Sequence, residues 1–380
     1  MRSEDVALDR IVGQDHAVSL LGRAFESGRL SHAYLFQGPE GVGKETTALE
    51  LAAALNCERE GFSACGECGS CAMARRLSHP DIHLVFPVPS TIKPDEYASI
   101  LESQVRSGFR EPDFGRRVPI ISVETVNDEI VAKSNRRPYV GPWKVFVVSD
   151  ADSMSPEAAN ALLKTLEEPP DDTIIVLTTS RPGALPGTIV SRCQRIPFAR
   201  LRPEAIEKIL TADPRLDFDG GRAREAGALA RGSAGRAVRV DSKTTKSELE
   251  RVAGIMTGRR TRDVGSLLSE AQALAYRLGR EEQQHILDLM LLWYRDVLRL
   301  ASLEESSASS GLVYSGHAGE LAEQAELLSL DLIEPLIGKI DSARRAIERY
   351  SNPAIVFTSV LLDMAIARRK AADRRRAGRA

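Results

Sequence analysis

The chain has 380 residues, 43% of them hydrophobic and 27% charged, with a formal net charge of −2. That length suits two or three domains, each with its own core. The near-neutral charge gives no global basic field for autonomous DNA binding, and no run approaches 18 uncharged apolar residues. The first ten residues, MRSEDVALDR, lack the apolar core of a secretory signal, so the protein is expected to be cytoplasmic, with no membrane partner.

Residues 1–30 read as helical, with Ala17, Leu20, Leu21 and Phe25 at helical spacing. A short apolar strand, Ala33-Tyr-Leu-Phe-Gln37, runs into Gly38-Pro-Glu-Gly-Val-Gly-Lys-Glu-Thr46. This stretch fits the phosphate-binding pattern G-x-x-x-x-G-K-[S/T] through Lys44, then places Glu45 where a hydroxyl is needed. In an intact loop the glycines let backbone N–H groups surround phosphates, the lysine meets the β/γ-phosphates, and the hydroxyl ligates Mg²⁺. Thr46 is one residue late, about 100° around the helix. An alanine- and leucine-rich helix follows to Leu55, completing the strand–loop–helix order that such a loop requires. The predicted nucleotide-binding set is Gly38, Gly41, Gly43, Lys44 and Thr46, in a site whose Mg²⁺ ligation is impaired.

Next come Cys57, Cys65, Cys68 and Cys71, spaced C-x7-C-x2-C-x2-C. A C-x2-C pair lets two thiolates reach one ion from a tight turn, and four complete a closed tetrahedral Zn²⁺ site of structural type. Gly66 and Gly69 suit the turns. Cys193 lies far away and is read as a small packed residue.

Lys144-Val-Phe-Val-Val-Ser149 and Thr173-Ile-Ile-Val-Leu-Thr178 are nearly continuous β-branched runs, the pattern of strands buried on both faces of a parallel sheet. Between them, Ser155 suits an N-cap and Pro156 the first helical position, and Pro169-Pro170 stops the helix. A further strand is expected at Ile120. Residues 1–200 therefore form an α/β domain, with a zinc module at about 56–80. Beyond residue 200 strand signals disappear. Residues 201–243 read as a small helical domain and 244–367 as long amphipathic helices, including one over Leu327–Tyr350. Glu304–Gly311 is serine-rich and read as a loop. Residues 368–380 are basic and read as a solvated, frayed helix end.

Several segments together carry a family resemblance: Ile11-Val-Gly-Gln-Asp15, Ser31-His-Ala-Tyr-Leu35, the phosphate loop with its cysteine module, His79-Pro-Asp81, Asn160-Ala-Leu-Leu-Lys-Thr-Leu-Glu-Glu-Pro-Pro170 and Ser191-Arg-Cys193. The chain resembles the bacterial replicative clamp-loader subunits of the AAA+ superfamily over nearly its full length. The resemblance implies a P-loop domain, a helical lid and an all-α collar, to which Trp293-Tyr-Arg-Asp296 and Ser351-Asn-Pro353 are similar. It also implies a hetero-pentamer with γ/τ- and δ-type subunits that loads a sliding clamp onto primed DNA. The stretch Pro87–Val118 is longer than the family pattern.

In active members of the family the strand before the Asn160 helix ends in Asp-Glu, for Mg²⁺ and for the attacking water. Here it ends in Ser149-Asp150, with Asp150 a shorter stand-in for the Glu. Thr178 or Thr179 falls where the family places a polar residue near the γ-phosphate. In Gly232-Ser-Ala-Gly-Arg236 the lid arginine's place holds Gly235. Glu45, Ser149 and Gly235 all point to a δ′-type subunit with little hydrolysis and weak or absent ATP/Mg²⁺ binding of its own. Arg192 would then act in trans, projecting into a neighbour's ATP site. An active γ/τ-type ATPase is the first alternative. A small-molecule P-loop kinase is the second, and the collar-like C-terminus argues against it.

Overall fold

The computed structural model describes residues 8, 10–89, 91, 92, 96, 97, 99, 100, 118–216, 218–238, 242–302, 312–349 and 351–377. The chain forms two compact units, Met1–Val240 and Asp241–Ala380.

The first unit is built on a five-stranded sheet of β1 (Ala33–Gln37), β2 (Ile82–Val85), β3 (Lys144–Val148), β4 (Thr173–Thr179) and β5 (Gln194–Pro197). The strand order is β2-β3-β4-β1-β5 and every pairing is parallel. Alternate residues point to opposite faces, yet both faces are buried, which is why these strands read as continuous apolar runs. Tyr34, Phe36, Val145, Val147, Ile174 and Val176 pack under α1 (Asp15–Glu26), α2 (Lys44–Leu55) and α3 (Gly69–Arg75). Ala33, Leu35, Phe146, Val148, Ile175 and Leu177 pack under a helical stretch over 123–134, here α4, together with α5 (Pro156–Glu167) and α6 (Gly187–Val190). Each fully buried aliphatic or aromatic side chain contributes about 1.5–3 kcal/mol, so this two-faced core dominates the unit's stability. The fold is thus of the class expected: a parallel sheet between helices, followed by all-helical structure.

Ser155 caps α5 as predicted, its hydroxyl accepting from Ala158 N at 3.1 Å, and the helix ends at Glu167 before the two prolines. The expected strand at Ile120 is only a pair of isolated bridges, Val88 with Ile120 and Ile121 with Met154. The unit is completed by α7 (Pro203–Ala212), α8 (Gly220–Leu229) and α9 (Ala234–Val238).

The second unit consists of α10 (Ser242–Met256), α11 (Val264–Tyr276), α12 (Arg280–Ser302), α13 (Ala318–Leu327), α14 (Leu330–Glu348) and α15 (Pro353–Ala377). Trp293 is fully buried and its Nε1 donates to Gln324 Oε1 at 2.9 Å. Buried Asp296 accepts from Val313 N at 2.7 Å and Tyr314 N at 3.0 Å. The helix expected over Leu327–Tyr350 is α14 alone, because the chain turns at Leu328 and Ser329, where α13 has just ended. The basic end is helical to Ala377 and mostly solvated as expected, with residues 369, 370 and 372–376 exposed. Arg368 is the exception: it is drawn into the unit, donating to Ile255 O at 2.7 Å, Met256 O at 3.1 Å and Thr261 Oγ1 at 2.8 Å. A guanidinium satisfied by three acceptors is held in place rather than solvated. Most of Pro87–Val118 and all of Glu304–Gly311 lie outside the described residues. No helix among the described residues is long and apolar enough to cross a membrane.

Candidate functional site

The phosphate loop joins β1 to α2 at the C-terminal edge of the sheet. Gly41 (φ +69°) and Gly43 (φ +97°) take left-handed backbone conformations that other residues resist, which lets the loop wrap tightly onto the α2 N-terminus. A Cβ on Gly38 would overlap Phe198 O. Lys44 is buried and its ammonium donates to Gly38 O at 2.9 Å and Pro39 O at 2.7 Å. Burial lowers its pKa, against the pull of Asp150, Glu40, Asp152 and Glu45.

The two substituted positions meet. Ser149, at the end of β3, donates its hydroxyl to the Glu45 carboxylate across 104 residues of chain. Desolvation pushes the Glu45 carboxyl up, partly opposed by Ser149 and Lys44. Thr46 is exposed, on another face of α2 from the buried Lys44. Asp150 follows Ser149 in a left-handed conformation (φ +46°), and its N–H donates to Thr178 Oγ1 at 3.2 Å. Burial first, then Asp152 and Glu45, pushes its carboxyl up to about 7. Thr179 is taken by Asp152, donating to Oδ1 at 2.5 Å, and Asp152 also pairs with Arg181 at 2.6 Å.

These residues fit a metal–nucleotide poorly. The carboxylate and hydroxyl satisfy each other, and Glu40, Glu45, Asp150 and Asp152 all surround the single lysine meant for a phosphate.

Helix α9 packs directly on this loop. Gly235 N donates to Gly41 O at 3.1 Å, and a Cβ on Gly235 would lie 3.2 Å from Gly41 Cα. A side chain at position 235 therefore requires the loop to give by a few tenths of an ångström, so the glycine suits this close backbone approach. Gln14, in the Ile11–Asp15 segment, clamps the loop. Its Nε2 donates to Val42 O at 3.1 Å and Ala199 O at 2.8 Å, and its Oε1 accepts from Ala199 N at 3.1 Å. Contacts across 28 and 185 residues leave no local pattern to read.

Arg192 lies at the other edge of the sheet. It sits in the turn between α6 and the N-terminal end of β5. Gln194 pairs with Tyr34 early in β1, whereas the phosphate loop begins only after Gln37. At about 3.3 Å per residue, the strand length plus the flanking turns separates Arg192 from its own loop by roughly 15–20 Å. Arg192 Nη1 donates to Thr188 O at 2.9 Å, and Nη2 pairs with Glu167 Oε1 at 2.6 Å. With side chains 35% and 48% exposed, this is a surface ion pair worth about 0–1 kcal/mol, weak enough to exchange for another anion. Cys193 is buried in the core.

Cys57, Cys65, Cys68 and Cys71 converge, with all four Sγ atoms within 4.8 Å of one another. Zn–S bonds of about 2.3 Å in a tetrahedron require S···S distances of about 3.8 Å. Cys65 and Cys71 are 3.9 Å apart. Cys68 N donates to Cys65 Sγ and Cys71 N to Cys68 Sγ, each at 3.4 Å. Backbone N–H groups of Glu67 and Cys68 pull the Cys65 thiol down to about 6, which favours the thiolate a metal needs. The donor set suits a structural Zn²⁺.

His79 and Asp81 tie this module to the sheet. His79 Nδ1 accepts from Asp81 N at 3.1 Å, so Nε2 carries the proton toward Ser70 Oγ, 3.0 Å away on α3. The Asp81 carboxylate collects three backbone N–H groups: Tyr139 at 2.6 Å, Val140 at 2.7 Å and Gly141 at 3.0 Å.

Comparison with known proteins covers mainly the first unit. The chain is 37% identical to the DNA polymerase III subunit delta′ of Bacillus subtilis over 194 residues, 51% of this chain and 50% of that protein. It is 32% identical to the B. subtilis subunit tau over 196 residues, 52% of this chain and 30% of tau. It is 33% identical to the Escherichia coli subunit tau over 198 residues, 52% of this chain and 26% of tau. The match thus spans half or less of each relative's own length. The model of the family described as DNA polymerase III, delta subunit, matches residues 13–202, half of the chain, and the chain belongs to that family.

Proposed function

We propose that this chain is the δ′-type subunit of a bacterial DNA polymerase III clamp loader. On this reading it assembles with γ/τ- and δ-type subunits, hydrolyses little or no ATP itself, and offers Arg192 to the ATP site of a neighbour during loading of the sliding clamp onto primed DNA. Residues 201–243 would be its lid and 244–367 its collar. The carrying observation is the position of Arg192. It is half-exposed, weakly held by Glu167, and at the sheet edge opposite its own phosphate loop. A guanidinium there has no phosphate of its own chain to serve. Added to a neighbour's site it would neutralise charge developing on the transferred phosphoryl group, an effect of about 10³–10⁵ in rate. The pairing of Glu45 with Ser149 supports the non-hydrolysing half of the reading.

The test is Arg192→Ala in the reconstituted complex. The ATPase of the site it serves should fall by at least about a thousandfold with assembly intact. Unchanged ATPase would sink the role. An active γ/τ-type motor is the second reading, favoured by the 32–33% identity to tau subunits. It requires purified chain to hydrolyse ATP at a motor's rate.

A further inference from the structure

Phosphate-loop enzymes hold Mg²⁺ between a Ser/Thr hydroxyl directly after the loop lysine and an Asp carboxylate on a neighbouring strand. In this chain the first position is Glu45 and the second Ser149, so hydroxyl and carboxylate have changed places, and the two side chains are hydrogen-bonded to each other. We propose that Glu45 and Ser149 are an exchanged pair that closes the metal position from within, and that Mg²⁺-dependent nucleotide affinity returns only when both are reverted together. The inference rests on the reading that this chain's own site is silent, but not on any role for Arg192.

Three features carry it. First, the exchange preserves the inventory of groups and alters only their order, so neither residue is left unsatisfied: the Ser149 hydroxyl finds an acceptor and the Glu45 carboxylate a donor. Second, the loop keeps its wrapped shape through protein contacts alone. Lys44 holds Gly38 O and Pro39 O, Gly235 holds Gly41 O, and Gln14 holds Val42 O. Reverting the pair therefore leaves a formed phosphate loop. Third, single reversions fail for opposite reasons. Glu45→Thr restores the hydroxyl but leaves Ser149 where the metal needs a carboxylate. Ser149→Asp sets a new carboxylate against Glu45, beside Asp150 and Asp152, with Lys44 to offset them and Arg181 already paired with Asp152. Residues in direct contact are where additivity breaks down.

The experiment titrates the full-length chain and three variants, Glu45→Thr, Ser149→Asp and the double, with a fluorescent ATP analogue, with and without Mg²⁺. Circular dichroism melting checks that each is folded. Wild type and both single variants should show no Mg²⁺ enhancement, Ser149→Asp should melt lowest, and the double should bind at least tenfold tighter with Mg²⁺ than without. Glu45→Ser with Ser149→Asp, the literal exchange, is a second double variant should threonine pack badly. Mg²⁺-enhanced binding by wild type, a folded double variant no better than the singles, or failure of both doubles to fold would each overturn the exchange. Because only nucleotide binding by this chain is read, a negative result leaves the Arg192 test on the complex's ATPase untouched.

Discussion

Replacing Asp81 with alanine removes the acceptor of three backbone N–H groups at 2.6, 2.7 and 3.0 Å from a side chain that is 1% exposed. Hydrogen bonds to a charged group are worth about 1.5–3 kcal/mol each, which sets a ceiling of several kcal/mol. The actual cost is smaller, because Tyr139 and Val140 are 87% and 54% exposed and their amides can turn to water. A loss of about 2–4 kcal/mol is expected, or a melting temperature lower by about 5–12 °C for a unit of this size. Asp81→Asn should not rescue it, since the amide nitrogen would face at least one N–H donor. Burial pushes the Asp81 carboxyl up, but the donations from Gly141, Val140 and Tyr139 outweigh it and its pKa is lowered. A depressed carboxyl contributes stability above its unfolded value of about 3.9 and loses it as pH falls through the lower folded value. The wild-type advantage over Asp81→Ala should therefore be constant from pH 6 to 8 and shrink below about pH 4. Urea unfolding at several pH values, with hydrogen exchange at 139–141, measures both. A cost under about 1 kcal/mol, or an undiminished difference at pH 3, would refute the reasoning.

Asp150 has the opposite sign. Its pKa is raised to about 7, chiefly by burial and then by Asp152 and Glu45, so stability is lost as pH rises from about 4 through 7. A shift of about three units corresponds to at most about 4 kcal/mol, and partial hydration reduces this to about 1–2. Asp150→Asn, which tolerates the left-handed backbone, should raise the melting temperature at pH 8 and leave it unchanged at pH 4. A lower melting temperature at pH 8 would contradict this. For the cysteine cluster, elemental analysis should find one Zn²⁺ per chain, and chelation or Cys71→Ser should lower the first melting transition. A metal-free chain with unaltered melting under chelator would remove the zinc assignment.

The sheet was legible where its strands are buried on both faces. β1, β3 and β4 are unbroken apolar runs, and the Ser155–Pro156 start of α5 is a local signal that needs no partner. β2 and β5 escaped notice because each has four residues and β5 buries only Ile196. Ile120 looked like a strand from its apolar neighbours but finds only isolated bridges. The burial of Arg368 is not legible in the sequence, because local charge density says nothing about acceptors more than 100 residues away.

The class of chemistry is written in local sequence. Spacing and backbone need are local, so four cysteines within fifteen residues mark a candidate metal site, glycines around Lys44 match a phosphate-loop pattern, and Glu45 departs from that pattern. How that alteration is resolved follows from the fold. Parallel strands bring Ser149 beside Glu45 and put Arg192 at the edge opposite the loop, while α9 sets Gly235 against Gly41. Those relations depend on strand order and direction, which join residues far apart in the chain.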